Sequence, residues 1–311
     1  MIQIKGKPPG ASDPRGMDTT PLPDWLDRDA YPFDPHTFDS ADGRMRYLDE
    51  GDGPAVLLVH GTPTWSFLWR RLVPQLSRTH RVIVPDHLGF GLSDKPPDAP
   101  YRPQDHARRL AALVDALGLD DFALVVHDFG GPIGLPLALD RPESVRALGL
   151  HNTWLWSLAD DPQTARASRF LGGPVGRLLY TRFNVSPRVL LPALFADRRR
   201  LDAVVHRSYL QPFPDAASRM APWALAGALV GEGAWYEEQW GRVGRLAGTP
   251  ALLAWGERDP AFGAEALARW RRALPDATVE AFPEAGHFVQ EEAPAWAGRV
   301  ADFLRVHHPP R

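Results

Sequence analysis

The run Ala55-Val56-Leu57-Leu58-Val59, five apolar residues without a polar interruption, constrains this chain more than any other feature. A strand with one wet face alternates apolar and polar residues. An uninterrupted run suits a strand covered on both faces, as in a parallel sheet between two layers of helix. Similar runs return at Arg81-Val82-Ile83-Val84, Phe122-Ala123-Leu124-Val125-Val126 and Ala251-Leu252-Leu253-Ala254-Trp255, with strand-like stretches at Val145 to Leu150 and Thr278 to Phe282. Helical spacing occupies 104–117, 130–139, 265–273 and about 294–306, and Met45-Arg46-Tyr47-Leu48 reads as an edge strand. Strands alternating with helices predict an α/β fold with a mostly parallel, doubly wound sheet.

The alternation stops between residues 154 and 240, where helical text is broken by prolines at 174, 187, 192, 212, 214 and 222. This predicts a helical cap inserted over the sheet. The expected organisation is an N-terminal wrapping segment at 1–40, a core from 41–153 and 241–311, and the cap at 154–240. With 35 basic against 38 acidic residues the net charge is -3, which argues against a surface that tracks phosphates and so against a nucleic-acid partner. The absence of cysteine removes disulfides, thiolate nucleophiles and sulfur-ligated zinc. No apolar run reaches the ~20 residues of a membrane span, and the first residues lack the apolar stretch of a signal peptide. The expectation is a soluble, cytoplasmic protein with no membrane partner.

Chemistry concentrates at three strand ends. Val126-His127-Asp128-Phe129-Gly130-Gly131 lies between an apolar strand and a helix, the layout of a nucleophile elbow with small neighbours around a strained turn. Asp128 occupies the raised position. A carboxylate there can attack an sp3 carbon and form an alkyl ester, although an Asp before a helix also suits a cap. His60-Gly61-Thr62-Pro63-Thr64-Trp65 follows the strand 55–59, and the amides of Thr62 and Phe129 are the expected oxyanion hole. His287, after the strand 278–282, is the expected general base. Asp259, after the strand 251–255, is the expected acid that orients it, with Glu257 as the rival. The other histidines, His60, His106, His127 and His206, read as structural or exposed, with His307 and His308 in a polar tail and no spacing for a metal site.

These residues, with Pro85-Asp86-His87-Leu88-Gly89-Phe90-Gly91-Leu92-Ser93-Asp94-Lys95-Pro96, His151-Asn152-Thr153-Trp154 and Gly286-His287-Phe288-Val289-Gln290-Glu291-Glu292, resemble the haloalkane dehalogenases of the α/β-hydrolase superfamily. The resemblance spans nearly the whole chain. It implies an α/β-hydrolase fold, Asp128 as nucleophile, His287 as base and Asp259 as acid. Family members place the acid either at the position of Asp259 or at that of Asn152, and an amide cannot supply the charge. It also implies an apolar halogenated substrate, water as co-substrate, a halide product, and no metal or organic cofactor. Dehalogenases commonly hold the halide with a Trp after the nucleophile and an Asn after His-Gly. Here those positions are Phe129 and Thr62, so the leaving-group pocket departs from the family. Supporting candidates are Asn152, which can bond neighbouring loop backbone, and the indoles of Trp65, Trp154, Trp156 and Trp223.

Two other readings stay open at this point. An epoxide hydrolase has the same Asp and His-Asp pair with two proton-donating cap tyrosines, for which Tyr180, Tyr209 and Tyr236 are candidates. A ligand receptor or cofactor-free oxygenase uses the fold without hydrolysis. Fluoroacetate dehalogenases carry an Arg where this chain has Phe129, which argues against that branch.

Overall fold

The computed structural model describes residues 21–310. Eight strands form one sheet in the order β1-β2-β4-β3-β5-β6-β7-β8. They are β1 His36–Ser40, β2 Gly43–Glu50, β3 Ala55–Val59, β4 Arg81–Pro85, β5 Phe122–Asp128, β6 Val145–Thr153, β7 Ala251–Gly256 and β8 Thr278–Phe282. From β4 to β8 all pairs are parallel, whereas β1 and β2 are antiparallel. The uninterrupted apolar runs are explained by what lies on each side. Leu57 and Val59 of β3 join one hydrophobic core while Val56 and Leu58 join another on the opposite face, and β5 divides Leu124 and Val126 from Ala123 and Val125 in the same way. Each side chain of these strands is therefore buried, whichever way it points.

The helices are α1 Val73–Leu76, α2 Pro103–Ala116, α3 Gly130–Asp140, α4 Pro162–Gly172, α5 Pro174–Phe183, α6 Leu191–Ala193, α7 Ala203–Leu210, α8 Met220–Gly231, α9 Gly233–Gly241, α10 Ala264–Ala273, α11 Val289–Glu292 and α12 Trp296–His307. Helices α2 and α3 contribute to the core holding Leu57, and α1 and α12 to the one holding Val56. Between β6 and β7 every element of the chain is helical. Half of the prolines read as breaks there begin helices. Pro174 opens α5, and Pro187 and Pro222 fall in first turns, where a missing N–H costs little, whereas Pro192 lies within the helical run 186–193 and Pro212 and Pro214 in a connection. Helices α4 and α8 pack so closely that a Cβ on Gly172 would lie 2.7 Å from Gly227 Cα.

Three local expectations need correction. The strand expected at 45–48 runs over Gly43–Glu50 and is second from the edge, because His36–Ser40 pairs with it as the true edge strand. Gly43, at φ +145°, makes the reversal between them. The expected wrapping segment thus ends in the sheet, with Tyr31 and Phe33 buried below it; its residues 1–20 lie outside the described residues. His308 is not part of a free polar tail. Its Nε2 pairs with the Ala55 carbonyl at 3.0 Å and its own carbonyl with His80 Nε2 at 2.8 Å. No helix of the described residues is long and apolar enough to cross a membrane.

Candidate active site

Asp128 is the last residue of β5 and has φ +52°, a left-handed backbone that a non-glycine residue adopts only when its surroundings impose it. The surroundings do so from three sides. A Cβ on Gly61 would overlap the Asp128 carboxylate, one on Gly130 the Val59 carbonyl, and one on Gly131 the Thr153 hydroxyl. That hydroxyl donates to the Asp128 carbonyl at 2.6 Å. The Thr62 amide donates to Asp128 Oδ1 at 2.8 Å, so the loop after β3 already points an N–H at the carboxylate.

His287 follows β8 and approaches from the other side. Its Nε2 lies 3.4 Å from Asp128 Oδ2, within ion-pair reach and longer than a good hydrogen bond. Its Nδ1 pairs with Asp259 Oδ2 at 2.8 Å. Asp259 also accepts from the Ala261 amide at 2.8 Å and from Asn152 Nδ2 at 2.8 Å. Asn152 exchanges two further bonds with the backbone of Gly256 at the end of β7, and its amide faces Asp259 as well. Glu257 is exposed while Asp259 is buried and pairs with His287. Burial opposes charge on the His287 imidazole, yet the Asp259 carboxylate, with Asp128 beyond it, lifts the ring from 6.5 to about 10. Burial also pushes Asp259 upward, and the His287 charge with the three donors outweighs it, leaving the carboxyl below its ordinary value.

The His287 loop is held by the core and the inserted helices together. His127 Nε2 pairs with the His287 carbonyl at 2.9 Å, and the His287 amide donates to the Leu194 carbonyl at 3.0 Å. Glu292, fully buried, accepts from the Gly286 amide at 2.8 Å and from the Asp197 amide at 3.0 Å. Thr153 and Glu292 were quoted in the sequence motifs without a task. Their bonds span 25 and up to 95 positions, and nothing in a local pattern announces such partners.

A cavity of about 350 Å³ opens over the carboxylate, lined by Thr62, Phe129 and His287 from the core and by Ser168, Tyr180 and Leu191 from the inserted helices. That is the scale of a small-molecule site. Thr62 places a buried hydroxyl there with no hydrogen-bond partner among the described residues, and Phe129 packs edge-on against Trp154 at 4.7 Å. The indole candidates separate clearly. Trp65 is corrected, since its N–H is committed to the Ser208 carbonyl at 2.9 Å and the ring does not line the cavity. Trp156 packs on Trp240 and Trp270 away from the carboxylate. Trp154 and Trp223 do not line the cavity either, although the buried indole N–H of Trp154, behind Phe129, has no partner. Of the three tyrosines only Tyr180 reaches the cavity. Tyr209 donates to Glu291 at 2.6 Å and Tyr236 to the Ala228 carbonyl at 3.0 Å.

A doubly wound sheet with an acid at a strained elbow, a His-Asp pair at the next strand ends and a lid of helices defines the class, an α/β hydrolase. The family model described as alpha/beta hydrolase fold matches residues 54–294. Haloalkane dehalogenase 2 of Mycobacterium tuberculosis is 37% identical over 280 residues, covering 89% of this chain and 95% of that one. A cis-3-alkyl-4-alkyloxetan-2-one decarboxylase of Xanthomonas campestris is 36% identical, covering 84% and 92%. Among solved structures, haloalkane dehalogenase DbeA from Bradyrhizobium elkanii superposes with a TM-score of 0.78 at 28% identity, covering 88% and 98%. The chain belongs to the haloalkane dehalogenase family of the α/β hydrolases.

Proposed function

We propose that this protein cleaves the carbon–halogen bond of small apolar haloalkanes through an ester on Asp128. The observation that carries the reading is the setting of one carboxylate: it stands on a strained elbow, takes the Thr62 amide at 2.8 Å on one oxygen, and faces His287 at 3.4 Å with the other. An Asp128 oxygen attacks the sp3 carbon and the halide leaves with the bonding pair. Esterification removes the negative charge of Asp128, and with it part of what keeps His287 protonated, so the ring gives up its proton to solvent. The neutral ring then takes a proton from water, whose oxygen attacks the Asp128 carboxyl carbon. The Thr62 amide stabilises the oxyanion, with the Phe129 amide as the second donor. Collapse passes the remaining hydroxyl proton to the departing alkoxide, which releases the alcohol and restores the carboxylate, and His287 is left protonated as in the free enzyme. Asp259, held by three donors, keeps the imidazole oriented and offsets its charge. The helices between β6 and β7 form the cap, and their side chains set the size of substrate admitted.

Replacing the base tests the scheme. His287→Gln, incubated with 1-bromobutane, should gain the mass of substrate less hydrogen bromide, and the adduct should be absent when Asp128→Asn is combined with it. No adduct, or one independent of Asp128, overturns the assignment.

A second reading differs in the leaving group and is favoured by the side chains at Thr62 and Phe129, neither of which carries an N–H for a halide, together with the relatives named for a four-membered lactone. Attack by Asp128 on the sp3 carbon bonded to the ring oxygen would break that C–O bond and leave a carboxylate. Loss of carbon dioxide with departure of the Asp128 ester oxygen would give an alkene and the free carboxylate. A cis-3,4-dialkyloxetan-2-one assayed beside 1-bromobutane separates the two, by alkene against bromide. The epoxide reading is not favoured, since one tyrosine rather than two reaches the cavity and the relatives are dehalogenases and decarboxylases.

A further inference from the structure

Charge is divided unevenly along this chain. Residues 162–196 hold five arginines, Arg166, Arg169, Arg177, Arg182 and Arg188, and no Asp or Glu, in a protein whose net charge is -3. All five are exposed. The same stretch exposes Phe170, Val175, Leu178, Phe183 and Val189, each by more than half, which are five of the seven exposed large apolar side chains among the described residues. Helices α4 and α5, which carry most of them, pack on α8, with the Ser168 hydroxyl donating to the Ala226 carbonyl at 2.8 Å, and bury Ala165, Ser168, Gly176 and Tyr180. Among the described residues, the arginines and large apolar side chains of this stretch stay exposed on its outer surface. Arg166, Arg169 and Arg188 make no ion pair among the described residues; of the acids that border the stretch, Asp161 caps the start of α4 and Asp215 shares its cleft with Arg219.

We propose that this outer face of α4 and α5 docks on an anionic lipid surface, with the arginines at the phosphate level and Phe170, Leu178 and Phe183 in the acyl boundary. Exposed apolar side chains interspersed with arginines, on a segment that itself carries no acid, match that surface in both respects. A second copy of the chain fits it poorly, because a two-fold contact would bring arginines against arginines. The contact is peripheral and needs no spanning helix; among the described residues no helix is long and apolar enough to be one. It also has a use. The inner sides of α4 and α5 supply Ser168, Leu171 and Tyr180 to the cavity, so docking places the roof of the site against the phase in which apolar substrates concentrate.

Sedimentation of the full chain with sucrose-loaded vesicles tests this. Binding is expected to vesicles containing about a quarter phosphatidylglycerol, to be weak on pure phosphatidylcholine, and to fall in about 0.5 M salt. Each arginine near such a surface contributes about fivefold, so Arg166→Gln with Arg169→Gln should weaken partitioning roughly 30-fold. Phe170→Ser with Phe183→Ser should weaken it at every salt concentration. Both pairs lie outside the cavity lining, so turnover of a water-soluble bromoalcohol should stay unchanged and certify the fold. Absence of binding to anionic vesicles at low salt overturns the proposal, as does binding that neither pair alters. So does light scattering that shows a dimer split by the Phe pair, which would assign the face to a second copy.

Discussion

At the scale of the residue, the site rests on a few polar atoms whose partners are fixed by geometry. Asp259→Asn keeps the shape but removes the charge opposite His287 and offers an amide where Nδ1 needs an acceptor. Turnover should fall by about three to four orders of magnitude, read as kcat at constant pH. Thr62 carries two functions on one residue, an amide on Asp128 Oδ1 and a buried hydroxyl in the cavity with no partner among the described residues. Thr62→Val keeps the amide and the volume. If the hydroxyl meets the departing halide, kcat/KM for chloroalkanes should drop about ten- to a hundredfold while the folding midpoint stays near that of the parent. An unchanged value would remove the hydroxyl from the leaving-group pocket. Asp128, His287 and Asp259 each follow a strand beside small or turn residues, a pattern visible in the sequence, and the fold brings their side chains together. The disposal of Trp65 was not visible there, since its indole is taken by the carbonyl of Ser208, 143 positions away.

At the scale of the element, the segment that carries His287 is built between two layers. It hangs from β8, is pinned by His127 of β5, and is tied to the inserted helices through Leu194, Asp197 and Glu292. Glu292→Gln sets an NH2 group against one of the two amides that its carboxylate now serves. The loss of a buried acceptor should cost about 1 to 3 kcal/mol, seen as a lower urea midpoint with unchanged slope. Turnover should fall as well, because Gly286 is the neighbour of His287. The Arg70 guanidinium, bidentate on Glu291 at 2.6 and 2.8 Å with Tyr209 of α7 on the same carboxylate, fastens the adjoining stretch. Helices α2, α3 and α10 and seven of the strands were readable from apolar periodicity. Strand β1 was not, because His36-Thr37-Phe38-Asp39-Ser40 carries one large apolar residue and gains its place only by pairing with β2.

At the scale of the molecule, the charge pair at the site couples stability to pH. His287 in the fold titrates at about 10 against an ordinary 6.5, so its contribution is complete below pH 6.5 and is lost as pH rises through 10. Asp259 is shifted down, so its contribution is complete above its ordinary 3.8 and is lost as pH falls below it. The melting temperature of the parent should therefore exceed that of His287→Gln most between about pH 4 and 6.5, and the gap should close toward pH 10. A gap that widens with pH would contradict the protonated His287 of the free enzyme. What the sequence determined by itself was the α/β hydrolase fold with its doubly wound, mostly parallel sheet, because burial on both faces of a strand is written in neighbouring residues. Only the tertiary structure decided which hydroxyls, indoles and tyrosines face the cavity, what anchors the His287 loop, and which outer face is left both basic and apolar. Those depend on contacts between residues far apart in the chain, where a side chain's direction is set by what packs against it and not by its own neighbours.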